Sequence, residues 1–136
     1  MQPLIFKLAD GPSPDIAGGL DALVKDGAEA LLVLEVPVPF SHRRAVAELA
    51  AARHLPTIFP GGQSDAGGVI AYGTSVTDTW PRMPIIADKI FRGATPGELA
   101  VETGSRRELI VNLKAARALG LSIPEATLKR ADRVIE

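Results

Sequence analysis

Two short stretches concentrate the side chains that could do chemistry. The first runs from Glu35 to His42, EVPVPFSH, and is followed at once by Arg43 and Arg44. It leaves an apolar run and enters a helical pattern, so Ser41 can cap that helix. Free backbone N–H groups at the helix start, with the positive end of its dipole, can receive a carboxylate. His42 and the two arginines add positive charge there, and Glu35 could hold a ligand ammonium. A capped helix with solvated basic residues, preceded by an exposed strand-end carboxylate, accounts for the same residues. The second stretch is PGGQSDAGG followed by VIAYG. Its glycines, Gly68 among them, let backbone approach a ligand, and Gln63, Ser64, Asp65 and Tyr72 supply polar groups. No Gly-Lys-Ser/Thr follows, so it does not read as a phosphate loop.

Other chemistries find little footing. The chain has no cysteine, and its two histidines, His42 and His54, stand far apart, so neither a thiolate site nor a metal site is expected. Ser41, Ser64 and Ser75 lack a Gly-x-Ser-x-Gly setting, and neither histidine has an orienting carboxylate at fixed spacing. The reading is therefore non-enzymatic, with no cofactor, and Trp80 is taken as a packing residue. Apolar residues at 46% against 23% charged, with a formal charge of -1, describe a soluble globular domain and give no electrostatic basis for a nucleic-acid or acidic-membrane partner. The longest apolar stretch, ALLVLEVPVPF, is broken by Glu35 and by prolines, so no membrane insertion is expected. The start, MQPLIFKLADG, carries no basic leader or cleavable apolar region, which as written leaves a cytoplasmic setting open.

The positioning elements follow from periodicity. Residues 3–9 read as a strand ending in the turn DGPSPD; Ile16, Leu20, Leu23 and Val24 then recur at helical spacing, with Ser13 as cap, Pro14 at the first helical position and Gly27 beyond the end. Residues 29–36 are almost continuously apolar and read as a buried central strand. Ala45, Val46, Leu49 and Ala50 mark a helix reaching about His54. LPTIF and VIAYG are further strands, with Thr74 and Ser75 offering a helix start. Val76, Trp80, Met83, Ala87 and Ile90 share a helical face interrupted by Pro81 and Pro84, so the regular helix is expected from Trp80 to Gly93. A brief extended piece at Ala100 to Thr103 precedes ELIVNL, the last strand; Asn112 caps a helix closed by Gly120, and Pro124 opens a final helix. At 136 residues one domain is expected, and the alternation predicts a three-layer α/β/α sandwich with a mainly parallel sheet. Ligands of such sheets sit beyond the carboxyl ends of the strands, here Glu35 to His42, Phe59 to Gly68 and Tyr72 to Thr74.

The tail ELIVNLKAARALGLSIPEATLKRADRVIE resembles the closing segment of the solute-binding proteins of ABC-type importers, in the group with tryptophan- and tyrosine-binding members. EALLVL, HRRAVAELAAARHLPTIF, AGGVIAYG and ADKIFRGATPGELAVE agree with it in the same order. The resemblance implies one lobe of a type I periplasmic binding protein, residues 1–136 matching the C-terminal lobe and 94–136 forming a crossing or docking tail. It also implies a small-molecule solute such as an amino acid, delivery to an ABC permease, and a periplasmic setting. Two features depart from the family pattern: the glycine-rich loop lacks an aromatic residue before Ala-Gly-Gly, and Pro81 and Pro84 interrupt a helix that is otherwise continuous. Since the partner lobe is not matched, a homodimer is expected to cover the docking surface, with exchanged C-terminal segments as one form of it. The competing readings are a truncated, self-associating α/β domain without tight ligand binding, and a small α/β sensor or enzyme domain.

Overall fold

The computed structural model describes residues 3–7, 14–35, 41–74, 80–101 and 106–136. Helix α1 spans Ile16–Lys25 because Ile16, Leu20 and Leu23 fall on one buried face and Asp15 closes its start, its Oδ1 accepting from Gly18 N at 2.8 Å. The cap is thus Asp15 and Pro14 lies before it; Ser13 lies outside the described residues. Val24, expected on the buried face, is exposed. Helix α2, Arg43–Ala51, buries Val46, Ala47 and Ala50. His42 takes the cap position expected for Ser41, without a side-chain bond to the helix start. Arg53 ties the two helices: its Nε donates to Asp21 Oδ1 at 2.6 Å, and its terminal nitrogens donate to Leu49 O and Ala17 O.

Five strands form one sheet in the order β1 (Leu31–Leu32), β2 (Thr57–Pro60), β3 (Ile70–Thr74), β4 (Arg107–Asn112), β5 (Arg133–Ile135). β1, β2 and β3 run parallel, β4 is antiparallel to β3, and β5 is parallel to β4. The fold is therefore α/β with a mainly parallel sheet, as expected. Alternation divides the sheet cleanly. Val33, Phe59, Ala71 and Ile110 point to one face, where they join Ile16, Leu20, Leu23, Val46, Ala47 and Ala50 in a single core. The opposite face carries Leu32, Ile58, Ile70, Val111 and Val134, which the register sets in one row. Val111 is fully buried in that row, while Leu32 and Ile58 are 64% and 39% exposed. That face is thus covered at Val111 on β4 and more open at Leu32, Ile58 and Val134 to either side.

Several expectations are corrected. Residues 3–7 form no strand; they run along the surface, with the Phe6 ring against Gly19, where any Cβ would collide with it. The run at 29–36 is not a buried central strand: it pairs over Leu31–Leu32 at the sheet edge, with Leu32 and Leu34 both exposed. Among the described residues no strand pairs beyond it, and Val33 alone of residues 31–35 is fully in the core. Thr74 ends β3 rather than starting a helix. Helix α3 is Arg82–Phe91, with Pro81 at its cap and Pro84 inside the first turn, where no intrahelical N–H partner is lost. Trp80 is 68% exposed within this chain and packs into no core here. Ser75, Val76 and Thr103 lie outside the described residues.

At the tail, Asn112 ends β4 and caps helix α4, Leu113–Ala118, its Oδ1 accepting from Ala115 N at 3.0 Å. Gly120, at φ 69°, closes that helix in the left-handed conformation glycine tolerates. Pro124 caps the short helix α5, Glu125–Leu128. The chain then returns as β5, which the final-helix reading did not contain. Asp132 secures that return: its N–H donates to Leu109 O at 2.8 Å and its Oδ2 accepts from Leu109 N at 2.9 Å.

Candidate functional site

The carboxyl ends of the three parallel strands open on one rim of the sheet. Glu35 stands exposed just beyond β1, Gly61 follows β2, and Thr74 ends β3. Gly61 and Gly73 touch through their backbones: a Cβ on Gly61 would lie 2.6 Å from Gly73 C and from Thr74 O. Only glycine permits that approach between the ends of β2 and β3.

The amino end of α2 stands over this rim, and Ser41, His42, Arg43, Arg44 and Ala45 line an open cavity of about 420 Å³ there. Ser41 and Arg44 are exposed, with His42 and Arg43 half-buried. Arg43 is held in place by a two-point bond to Asp65, Nε to Oδ1 at 3.2 Å and Nη2 to Oδ2 at 3.0 Å, and Arg44 Nη2 approaches Asp65 Oδ2 at 3.5 Å. The hydrogen bond from Arg43 is the chief cause that holds the Asp65 carboxyl below the usual carboxylate range; burial opposes it, and the charges of Arg43 and Arg44 add to it. The same hydrogen bond raises the Arg43 guanidinium above its ordinary value. Two guanidinium groups sharing one carboxylate leave net positive charge at the cavity wall. That wall can take an anionic group, with the first N–H groups of a nine-residue helix pointing the same way.

The residues proposed from sequence therefore divide. Ser41 and His42 line the open cavity, and Glu35 stands at the neighbouring strand end. Asp65 joins them indirectly, as the anchor of Arg43. Gln63, Ser64 and Gly68 instead line a crevice with Phe59, Ile110, Asn112 and Ile135 that is too narrow to admit a water molecule. Gln63 is 2% exposed, and its Oε1 is a buried side-chain acceptor without a partner among the described residues. Ser64 Oγ accepts from Arg133 Nη2 at 2.7 Å. Gly68 packs so closely that a Cβ would sit 2.5 Å from Phe59 Cδ2 and 2.6 Å from Thr57 Oγ1. Tyr72, half exposed, lies on the opposite face of the sheet, away from α2. Arg133 entered no sequence-based site, since its strand was read as part of a helix. Among the described residues no cluster of three His, Asp or Glu side chains could hold a metal ion, and no helix is long and apolar enough to cross a membrane.

The profile of the family described as ABC transporter substrate binding protein matches residues 15–135. The chain belongs to that family. No curated protein matches the sequence. Among solved structures, a conserved domain protein from Vibrio cholerae O1 biovar El Tor superposes with a TM-score of 0.81 at 22% identity, over 88% of this chain and 40% of that one. An ABC domain from Streptococcus pneumoniae, solved in complex with L-Trp, gives 0.78 at 23% identity, over 89% and 42%. The ligand-free, open form of a substrate binding protein with adhesive properties from Clostridium difficile gives 0.59 at 21% identity, over 89% and 40%. This member of the substrate-binding family thus spans about two fifths of the length of the solved structures it matches.

Proposed function

We propose that this chain forms part of the solute-capturing lobe of an ABC-type importer and takes a small carboxylate-bearing solute, an amino acid in the first instance, at the amino end of α2. The observation that carries the reading is the open cavity of about 420 Å³ lined by Ser41, His42, Arg43 and Arg44, set at the carboxyl ends of parallel strands, where α/β sheets of this type receive ligands. Family membership over residues 15–135 and an L-Trp complex of a structural neighbour support the same class of ligand. Glu35, at the next strand end, is placed to meet a solute ammonium. The role is one of binding and delivery, without catalysis, to a permease of the same importer, from the periplasmic side. In the domain organisation proposed with it, residues 1–136 act as one lobe and 94–136 run back toward a second, the strands β4 and β5 of that stretch lying in the present sheet.

A thermal-shift screen over the standard amino acids, L-Trp included, tests this. A ligand at a hundredfold excess over its dissociation constant stabilises by ~2.7 kcal/mol, and Arg44→Glu is expected to abolish that stabilisation while leaving the unliganded melting temperature within a degree or two. No stabilisation by any amino acid would favour the second reading, a self-associating domain without tight ligand binding. One observation favours that alternative: the polar side chains of Ser64 and Asp65 are engaged by Arg133 and Arg43 of the same chain.

A further inference from the structure

The loop between β2 and β3 sets burial against bonding. Gln63 is 2% exposed, yet its Oε1 finds no donor among the described residues, in a crevice walled by Phe59, Gly68, Ala71 and Ile110. A buried amide oxygen left without a hydrogen bond keeps its full desolvation cost, so Gln63 weakens the very position it occupies. An apolar side chain of the same length would suit these walls better, and a polar group so placed needs a reason. Beside it, the short turn Ser64–Ala66 is pinned by side chains distant in the chain. Ser64 Oγ accepts from Arg133 Nη2 at 2.7 Å, and Asp65 takes the two-point bond from Arg43. Gly62 and Gly67 flank the turn at φ 79° and 96°, in the left-handed region that glycine enters freely. A Cβ on Gly67 would meet nothing nearer than Ala47 Cβ at 4.0 Å, so that glycine answers to backbone rotation and not to crowding.

We propose, resting on the carboxylate site read above, that Asp65 is a built-in occupant of that site. A solute carboxylate displaces it, and the turn swings out about Gly62 and Gly67, freeing the Gln63 amide from its crevice. The clamp has the form such an exchange requires. Arg43 Nε and Nη2 hold Asp65 by two parallel bonds, as a guanidinium holds any carboxylate, and Arg44 Nη2 stands 3.5 Å from Asp65 Oδ2. An arriving carboxylate offers the same acceptors to the same donors, so one ion pair replaces another. Gln63 tips the balance, because it is dry and unbonded only while the turn is seated. Ala66, 5% exposed, and the bond from Arg133 to Ser64 oppose the release. The seated turn thus keeps both arginines paired when the cavity is empty, and admits solutes whose carboxylate outcompetes Asp65. Each contact in the exchange joins described residues of this chain.

Native-state hydrogen exchange reads the turn directly. The Gln63 and Ala66 amides, which donate to Pro60 O and Gln63 O, are expected to exchange through a local opening with a shallow urea dependence, whereas the amides of β2 and β3 follow the steep slope of global unfolding. Gln63→Met keeps the volume and removes the acceptor, so it is expected to raise the urea midpoint and to slow exchange in the turn about tenfold. Saturating amino acid, L-Trp first and then the one giving the largest thermal shift, is expected to speed exchange at Gln63 and Ala66 while slowing it in β2 and β3. That is the reverse of ordinary ligand protection. Asp65→Asn withdraws the competing charge and is expected to tighten binding of the same amino acid up to about fivefold, while Gln63→Met, which favours the seated turn, weakens it about tenfold. Turn amides that follow the slope of global unfolding overturn the proposal. So do slower exchange in the turn on ligand binding and an Asp65→Asn variant that binds more weakly. If no amino acid binds, the reading of the site fails and displacement with it, while the opening of the turn stands or falls on its urea dependence and on Gln63→Met.

Discussion

Asp65 joins the two stretches that the sequence singled out, and its protonation has a measurable cost. Its carboxyl, and that of Asp21 beside Arg53, are held below their ordinary value chiefly by hydrogen bonds from the arginines. A carboxylate whose folded value is depressed contributes stability that is complete above the unfolded value of ~3.9 and disappears as pH falls through the lower folded value. The urea midpoint is therefore expected to hold steady from neutral pH to about pH 5 and to drop below about pH 4. Asp65→Asn should flatten part of that acid limb and cost at most ~1 kcal/mol at neutral pH, since the pair is substantially exposed. An unchanged acid limb in the variant would show that Asp65 is not one of its sources. Gly68 sets a steric test. A methyl group there meets the buried Phe59 ring and Thr57 Oγ1, so Gly68→Ala is expected to destabilise by ~1–3 kcal/mol, the range for overpacking a filled interior, read as a lower urea midpoint at unchanged slope.

Among the elements, α4 offers the cleanest assay of a local signal. Asn112 is at once the last residue of β4 and the cap of α4, so Asn112→Ala removes the bond to Ala115 N and is expected to cost ~1 kcal/mol, while Asn112→Asp should retain most of the stability. This junction was legible from sequence because its cap, its helical run and its closing Gly120 are adjacent residues that interact with one another. The same holds for the helical runs of α1 and α2, for β2 and β3, and for α3 within the expected span from Trp80 to Gly93. What could not be read depends on partners distant in the chain. The apolar run at 29–36 has the composition of a central strand, yet its neighbours on the sheet decide that it stops at an edge. DRVIE at the end becomes a strand because β4 offers an open edge and Asp132 binds Leu109, neither of which leaves a mark on the local pattern. The site divides likewise. Ser41 and His42 follow from the strand-to-helix junction, whereas the clamp of Arg43 on Asp65 spans 22 residues and the bond of Arg133 to Ser64 spans 69.

For the molecule as a whole, the distribution of buried side chains orders its stability. The core on the α1 and α2 side unites β1 to β4, and Phe59, 1% exposed, is its largest apolar member. Phe59→Ala is expected to cost ~3–5 kcal/mol, enough to unfold a domain of ordinary marginal stability. Hydrogen exchange at high dilution should find the amides of β2, β3 and β4 most protected and those of α3 nearly unprotected, because α3 buries no residue. Protection in α3 equal to that in α2 under those conditions would contradict the described packing.

The reversal between β3 and β4 has a consequence for the electrostatic landscape at the rim. Thr74, at the carboxyl end of β3, lies opposite Arg107, at the amino end of β4, so three strand ends that present carbonyls stand beside two that present amides along one border. The small strand dipoles offset one another in part, and the pleated layer contributes little directed field of its own. Whatever pull an approaching anion feels must then come from discrete ionised groups and from the axis of α2, which makes the reach of that pull a matter of ionic strength and fades it beyond ~8 Å in physiological salt.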